Sequence, residues 1–308
     1  MNINVSKYAN EVKRKLGIII SNEILEKDLL LTLILAEFQK ENGAFHDLIF
    51  KGGTLLSRNF LRYHRFSEDL DFVHKESETL RKLPRRQRER GIKHHIDYIV
   101  PSLHKIAESL GLKFSTDRSD KKYCTILHGR TVYILRLYYN ERDYVKVEIN
   151  FIERLIHKPE VLQINTITDF FESKELMFSL GLRYENFRVL SYPLKEIVLE
   201  KYRAILTRNK FKERDLFDLF LIHGSLDAEI SEIVIKIRDS SIIKRNLLHS
   251  IKEKLKMLRE NKFFQSDENI SDLAIISFDR EEFKAFQENI KPRLIEICEQ
   301  LLSRENGE

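Results

Sequence analysis

The sequence predicts an α+β chain: a mixed, largely antiparallel sheet with flanking helices, followed by an all-helical C-terminal domain. Three observations predict it. Short runs of alternating apolar and polar residues, the period of a strand with one buried face, fall between residues 48 and 151. Beyond about residue 190, leucine and isoleucine alternate with lysine and glutamate at helical spacing. Only 10 glycines and 5 prolines occur in 308 residues, which argues against a many-turned all-β chain and for helix with some strand.

The elements follow in order. Val5, Ala9, Val12 and Leu16 recur at helical spacing, and residues 25–41 form a second periodic stretch, so residues 1–45 read as an N-terminal helical cap on the core. Residues 47–50 are a short apolar run. Lys51-Gly52-Gly53-Thr54 follows, then a helical stretch at 55–61, then Arg65-Phe66-Ser67-Glu68 and Asp69-Leu70-Asp71-Phe72-Val73. This reads as strand, glycine turn, short helix, loop, strand. Arg81, Lys82, Arg85, Arg86, Arg88 and Arg90 place six cations in ten positions against one acid, Glu89. Residues 92–110 read as an amphipathic helix ended by Gly111. Residues 113–115, 123–127, 131–138 and 144–151 read as strands of a meander, with Asp120-Lys121 and Asn140-Glu141 as turns. Pro193 stands where a first-turn proline belongs and opens a helix at 194–208. Another helix covers 213–223 and is closed by Gly224. A composition shift near residues 185–192 divides an α/β domain at 46–190 from a helical domain at 191–308.

Composition excludes several classes. Hydrophobic residues at 42% exclude a disordered chain, and charged residues at 33% argue against an integral membrane protein. The most apolar stretch, residues 29–38, is too short to span a bilayer. The N-terminus does not read as a signal peptide, and a cytoplasmic protein is expected. Lys and Arg number 53 and Asp and Glu 48, a net charge of +5 that permits nucleic acid as a partner without requiring it. Cys124 and Cys298 form no CxxC pair, which excludes a cysteine zinc site and a disulfide scaffold.

Asp69 and Asp71 are the strongest local feature. Residues two apart in a strand share a face, so both carboxylates project together while Leu70 and Phe72 point into the core. Paired acids on a strand suit Mg²⁺, which takes hard oxygen ligands. Lys146, Glu148 and Asn150 form the polar face of a later strand whose apolar face is Val145, Val147, Ile149 and Phe151. If that strand lies beside the first, Glu148 is a third acid, and three acids seat two divalent ions. Gly52-Gly53-Thr54 precedes a helix start, where backbone N–H groups favour phosphate. No Walker A loop or dinucleotide fingerprint is present. His64, His74, His94 and His95 lack metal-ligand spacing; Tyr138, Tyr139 and Tyr144 read as strand packing.

The order of glycine turn, short helix, paired aspartates and distant glutamate resembles the polymerase-β-type nucleotidyltransferase superfamily. Within it, Lys51-Gly52-Gly53-Thr54 together with Arg65 to Phe72 is similar to the signature of the AbiEii/AbiGii toxin family. The 14 residues between Thr54 and Asp69 stand at the long end of the usual spacing, which fits one extra residue in the short helix or loop. A second block, Glu200-Lys201-Tyr202-Arg203-Ala204 and then Arg214-Asp215-Leu216-Phe217-Asp218-Leu219, is similar to the family's two later helices. The resemblance runs from about residue 48 to 222.

The resemblance implies a Mg²⁺-dependent nucleotidyltransferase acting as a toxin in a toxin–antitoxin or phage-defence setting. Its substrate would be an NTP and its acceptor RNA, the 3′ end of tRNA first among candidates, with an antitoxin protein as a possible partner and no membrane. Asp69, Asp71 and Glu148 would hold two Mg²⁺ ions. Lys201 and Asp218 would be contributed by the helical domain. Lys51, Gly52, Gly53, Thr54, Arg65, Ser67, Arg214 and Asp215 would serve the nucleotide. The Arg81, Lys82, Arg85, Arg86, Arg88 and Arg90 cluster fits an RNA backbone grip. Two other classes stay open: a non-catalytic nucleic-acid- or protein-binding member of the fold, and a transferase that modifies protein side chains. A two-metal nuclease fits the carboxylates but not the glycine turn.

Overall fold

A computed structural model describes residues 5–16, 21–40, 43–169, 187–222, 224–240, 244–266, 270, 274–275 and 277–303. The chain divides into two units. One comprises Met1–Glu153 and Pro159–Tyr192, the other Arg154–Lys158 and Pro193–Glu308.

The first unit is built on one seven-stranded sheet. Its strands are β1 (Leu48–Lys51), β2 (Asp69–His74), β3 (Cys124–Leu127), β4 (Val132–Tyr138), β5 (Tyr144–Asn150), β6 (Glu160–Gln163) and β7 (Arg188–Ser191), in the spatial order β3-β4-β5-β2-β1-β7-β6. The β3-β4-β5 meander is antiparallel, as its short turns require. The sheet as a whole is mixed, because β2 runs parallel to β5 and β1 parallel to β7.

Alternation decides the two faces. Phe50 pairs with Phe72, and Leu70 and Phe72 lie beside Val147 and Ile149, so these side chains share the apolar face. All of them are buried. Helices α1 (Val5–Leu16) and α2 (Asn22–Lys40) precede the sheet. Helix α2 covers this face through Phe38, whose ring centroid lies 5.6 Å from that of Phe72. Helix α5 (Arg85–Ser109) joins it, burying Ile92, Ile96, Ile99 and Leu103. His95 of α5 lies 4.0 Å from His74 between ring centroids and also stacks on Phe151. Burying side chains of this size contributes about 1.5–3 kcal/mol each, which is what ties the helices to the sheet. Polar residues of β1, β2 and β5 occupy the opposite face.

Three sequence expectations change. Residues 113–115 form no strand; Lys113 makes a single bridge to Tyr138. The basic run is two helices, α4 (Ser77–Lys82) and the start of α5, because Pro84 caps the second. Helix α5 therefore begins at residue 85 rather than 92. Strands β6 and β7 were not anticipated.

The stretch between β1 and β2 is compact. Helix α3 (Gly52–Leu55) runs directly into a π-helical turn at Leu56–Phe60. A π turn closes over one more residue than an α turn. Arg62 and Tyr63 then take positive φ, which reverses the chain into β2. Arg58 is buried against Asp28 of α2, with Nη2 to Oδ1 at 2.6 Å.

The second unit is helical: α6 (Leu194–Thr207), α7 (Glu213–Leu221), α8 (Ile230–Ser240), α9 (Lys244–Arg259) and α10 (Arg280–Ser303). Its core includes Ile197, Tyr202, Leu216, Phe217, Ile237, Ile290 and Leu294. The fully buried Lys236 ammonium pairs with Glu196 at 2.7 Å and Glu200 at 2.8 Å and donates to the Arg154 carbonyl. Glu196 also accepts the N–H groups of Ile156 and His157. This charge network fastens residues 154–158 to α6 and α8. Helix α7 stops at Leu221 because Ile222 turns extended, with ψ 110°; Gly224, at φ +78°, starts the next turn rather than ending this helix. Among the described residues no helix is long and apolar enough to cross a membrane.

Candidate active site

The register of β2 and β5 builds the polar face. Asp69 lies beside Lys146, and Asp71 beside Glu148. On the other side, Lys51 at the end of β1 is opposite Asp71. Strand neighbours stand about 4.8 Å apart, so Asp69, Asp71 and Glu148 occupy adjoining positions on one face. Leu70, Phe72, Val147 and Ile149 anchor the same strands from behind.

A lysine completes this group. Lys146 Nζ lies 2.9 Å from Asp69 Oδ2 and 3.5 Å from Glu148 Oε2. Desolvation raises the Asp71 carboxyl to about 6, and the negative charges of Glu148 and Asp69 push the same way against Lys146 and Lys51. Burial alone would lower the Lys146 ammonium, but Asp71, Asp69 and Glu148 outweigh it and hold it above the ordinary lysine range. Among the described residues no three His, Cys, Asp or Glu side chains close on one point as a metal cage does. Here an ammonium stands among the carboxylates. The donors are hard oxygens with an excess of negative charge, and they already gather a cation. The set therefore fits a hard divalent ion such as Mg²⁺.

The glycine turn is pressed against this face. Gly52 has φ +82°, and a Cβ there would collide with the Asp71 carboxylate oxygen. A Cβ on Gly53 would meet Arg65 Nη2 at 2.9 Å and Ser67 Oγ at 3.0 Å. Gly52 combines a positive φ with a clash, whereas a side chain at Gly53 would have to displace the Arg65 guanidinium and the Ser67 hydroxyl. The Thr54 hydroxyl points inward and donates to the Asp69 carbonyl at 2.5 Å, tying the turn to β2. The structure thus brings together Gly52, Gly53, Thr54, Arg65, Ser67, Asp69, Asp71 and Glu148. Lys51 borders the group, but its ammonium pairs with the buried Glu153 and lies 5.7 Å from the centroid of the Tyr192 ring.

Other residues singled out in the sequence belong to other elements. Lys201, Arg214, Asp215 and Asp218 belong to the second unit. There the buried Lys201 ammonium lies 2.9 Å from Asp215 Oδ1 and 2.6 Å from Asp218 Oδ2. Arg208 holds the other oxygen of Asp215 at 2.7 Å. Arg214 sits beside Asp215 in the first turn of α7. In the basic cluster, Arg81 and Lys82 pair with Glu78, and Arg85 pairs with Glu89. Arg81 and Lys82 end α4, while Arg85, Arg86, Arg88 and Arg90 open α5, the helix that packs on the apolar face of the sheet.

Sequence reasoning missed three features. Lys146 was readable from the same two-residue period that singled out Glu148. Glu153 carried no signal, because its importance lies in Lys51, distant in sequence. The third is aromatic. Arg86, Arg90, His94 and Tyr98 are four residues apart and all exposed, so one face of α5 carries two guanidiniums and two rings. His94 and Tyr98 touch edge to face at 5.2 Å between centroids, and Tyr98 is 62% exposed.

The family model for the nucleotidyl transferase AbiEii toxin, of type IV toxin–antitoxin systems, matches residues 34–301. The match reaches from α2 to α10, beyond the motif-bearing residues 48–222. Among solved structures, the chain is similar to MenT4, a nucleotidyltransferase toxin from Mycobacterium tuberculosis H37Rv. That similarity has 15% identity and a TM-score of 0.48, and covers 95% of this chain and 98% of that one. No curated protein matches.

Proposed function

Because the chain belongs to the AbiEii nucleotidyl transferase toxin family, we propose that it transfers a nucleotide from an NTP to RNA, with the 3′ end of tRNA as acceptor. One observation carries this reading. The Gly52-Gly53 turn is packed onto Asp71, so a glycine backbone adjoins a row of three carboxylates. A nuclease needs the carboxylates but has no use for such a turn beside them.

In the proposed reaction an acceptor hydroxyl attacks the α-phosphorus, a new P–O bond forms and pyrophosphate leaves. Gly52 and Gly53 admit the phosphates to the backbone, and the Arg65 guanidinium and Ser67 hydroxyl beside Gly53 offer donors to them. Thr54 fixes the turn to β2 through its bond to the Asp69 carbonyl. Asp69, Asp71 and Glu148 would hold Mg²⁺, which when bound neutralises charge on the phosphates and makes the hydroxyl easier to deprotonate. Catalysis of this type is mostly positioning and charge neutralisation. The exposed stripe of Arg86, Arg90, His94 and Tyr98 suits the body of an RNA, with phosphates on the guanidiniums and bases on the rings. The proposal includes a cytoplasmic setting and a separate antitoxin.

The test uses purified protein, Mg²⁺, total tRNA and each α-phosphate-labelled NTP in turn, beside the Asp69→Asn/Asp71→Asn double variant. Label entering tRNA with the wild type alone is expected. Label in protein instead would move the acceptor to a side chain. Shortened RNA would mark a nuclease. No label anywhere, with RNA still bound, would leave a non-catalytic binding protein.

A further inference from the structure

We infer that Lys146 is a resident counter-cation of the carboxylate face: its ammonium holds Asp69 and Glu148 together and must give way when a divalent cation binds there. The inference rests on the proposed metal-dependent transfer. The parallel register of β2 and β5 fixes Lys146 next to Asp69, and the two-residue period sets Glu148 on the same face. Its Nζ reaches both, at 2.9 and 3.5 Å. The other cations along this face bond to other groups, although Lys51 still adds to the field at Asp71. Lys51 pairs with Glu153, while Arg136 of β4 donates to Thr125 Oγ1 and the Lys121 carbonyl.

The position is suited to release. The Lys146, Asp69 and Glu148 side chains are 26%, 39% and 32% exposed, so the ammonium can leave for solvent without unpacking the core. Lysine is a compact charge on a flexible stem with no fixed fork geometry, which makes it an exchangeable partner. A divalent ion at the same oxygens would be repelled by an ammonium that stayed. Two consequences follow. Without metal, Lys146 keeps adjoining carboxylates from repelling one another. With metal, it competes for their oxygens and weakens cation affinity.

The test measures Mn²⁺ binding by electron paramagnetic resonance at fixed ionic strength. It compares wild type, Lys146→Gln, Lys146→Arg and Asp69→Asn/Asp71→Asn. Lys146→Gln should bind Mn²⁺ about tenfold tighter, while Lys146→Arg stays within about twofold of wild type. Thermal unfolding gives the converse: in EDTA, Lys146→Gln should melt below wild type, and saturating Mn²⁺ should close the gap. In the wild type itself, the Lys146 ammonium should show a protected nitrogen-15 NMR signal that is lost on saturation with Mg²⁺. That measurement stands even if the glutamine variant does not fold. Equal or weaker Mn²⁺ binding by folded Lys146→Gln, or an ammonium signal indifferent to Mg²⁺, overturns the inference and leaves the transferase reading intact. Wild-type protein that binds no Mn²⁺ beyond the double variant overturns both.

Discussion

At Gly52 two demands fall on one residue. Its φ of +82° disfavours any side chain, at about 1–2 kcal/mol for alanine, and the missing Cβ leaves room for the Asp71 carboxylate. Gly111 separates these effects, because its φ is +71° but nothing lies within 4 Å of the Cβ position. Both Gly52→Ala and Gly111→Ala should therefore lose about 1–2 kcal/mol in urea unfolding. Only Gly52→Ala should also lose nucleotide transfer, by roughly 100-fold, about 2.7 kcal/mol, because Asp71 must turn away. Equal activity in the two variants would show that the Asp71 contact is irrelevant to the chemistry. His74 supports a pH prediction. Burial lowers it to about 4; His95 and Lys75 push the same way and Asp47 opposes. Its Nδ1 accepts the Glu76 N–H, which requires the neutral ring. An unfolded histidine titrates near 6.5, so between about pH 6.5 and 4 the unfolded chain binds the extra proton. The stabilisation is complete above that window and is lost as pH falls through it, by about 2 kcal/mol at pH 5. In urea titrations at pH 5 and 7, His74→Phe should show a smaller difference than wild type by about that amount.

Among the elements, α6 and α7 are joined by a buried charge. Replacing Lys201 with Met removes the buried ammonium that lies between Asp215 and Asp218. Breaking a buried pair from one side costs about 3–5 kcal/mol. Adding Asp218→Asn to Lys201→Met should recover part of that loss in urea unfolding, because it removes one of the two buried carboxylates that the ammonium balances. A double variant no more stable than Lys201→Met would contradict this account. The spacing of Asp215 and Asp218 made their shared face legible in the sequence, and similar local rules worked elsewhere. Alternation at Val145, Val147 and Ile149 revealed β5, and the paired aspartates revealed β2. What failed was information that lies between segments. Three of the four residues of β6 are exposed, with little apolar alternation, and its existence depends on pairing with β7, which the chain reaches only after residue 187. Residues 113–115 have strand-like composition, yet they find one bridge to Tyr138 and no ladder. The partnership of Lys51 with Glu153 spans 102 residues and has no periodic signature.

At the scale of the molecule, the sheet separates two chemistries. One face carries the carboxylates, while the other carries α2 and α5, and the α5 stripe looks outward from that second layer. The sequence showed the cations but not their layer, because which side of a sheet a helix covers depends on packing such as His95 against His74 and Phe151. Under the proposed function this separation divides affinity from chemistry. Arg86 and Arg90 would grip phosphates of a large RNA, and the reacting end would meet the carboxylates on the other side. Each phosphate contact contributes about −0.7 to −0.9 to the slope of log K against log salt. Arg86→Glu/Arg90→Glu should therefore reduce the slope for whole tRNA by about 1.4–1.8 and weaken its binding at least tenfold near 0.1 M salt. A short single-stranded mimic of the tRNA 3′ end carries the reacting end without the body that the stripe would hold. The same variant should leave its kcat unchanged, and Tyr98→Ala should behave likewise, without the change in salt slope, since a ring contributes stacking but no counter-ion release. Equal losses on whole tRNA and on the mimic would place the stripe in direct service of the reacting end. Unchanged tRNA binding would remove α5 from RNA recognition and leave its cations as a solvated helix face.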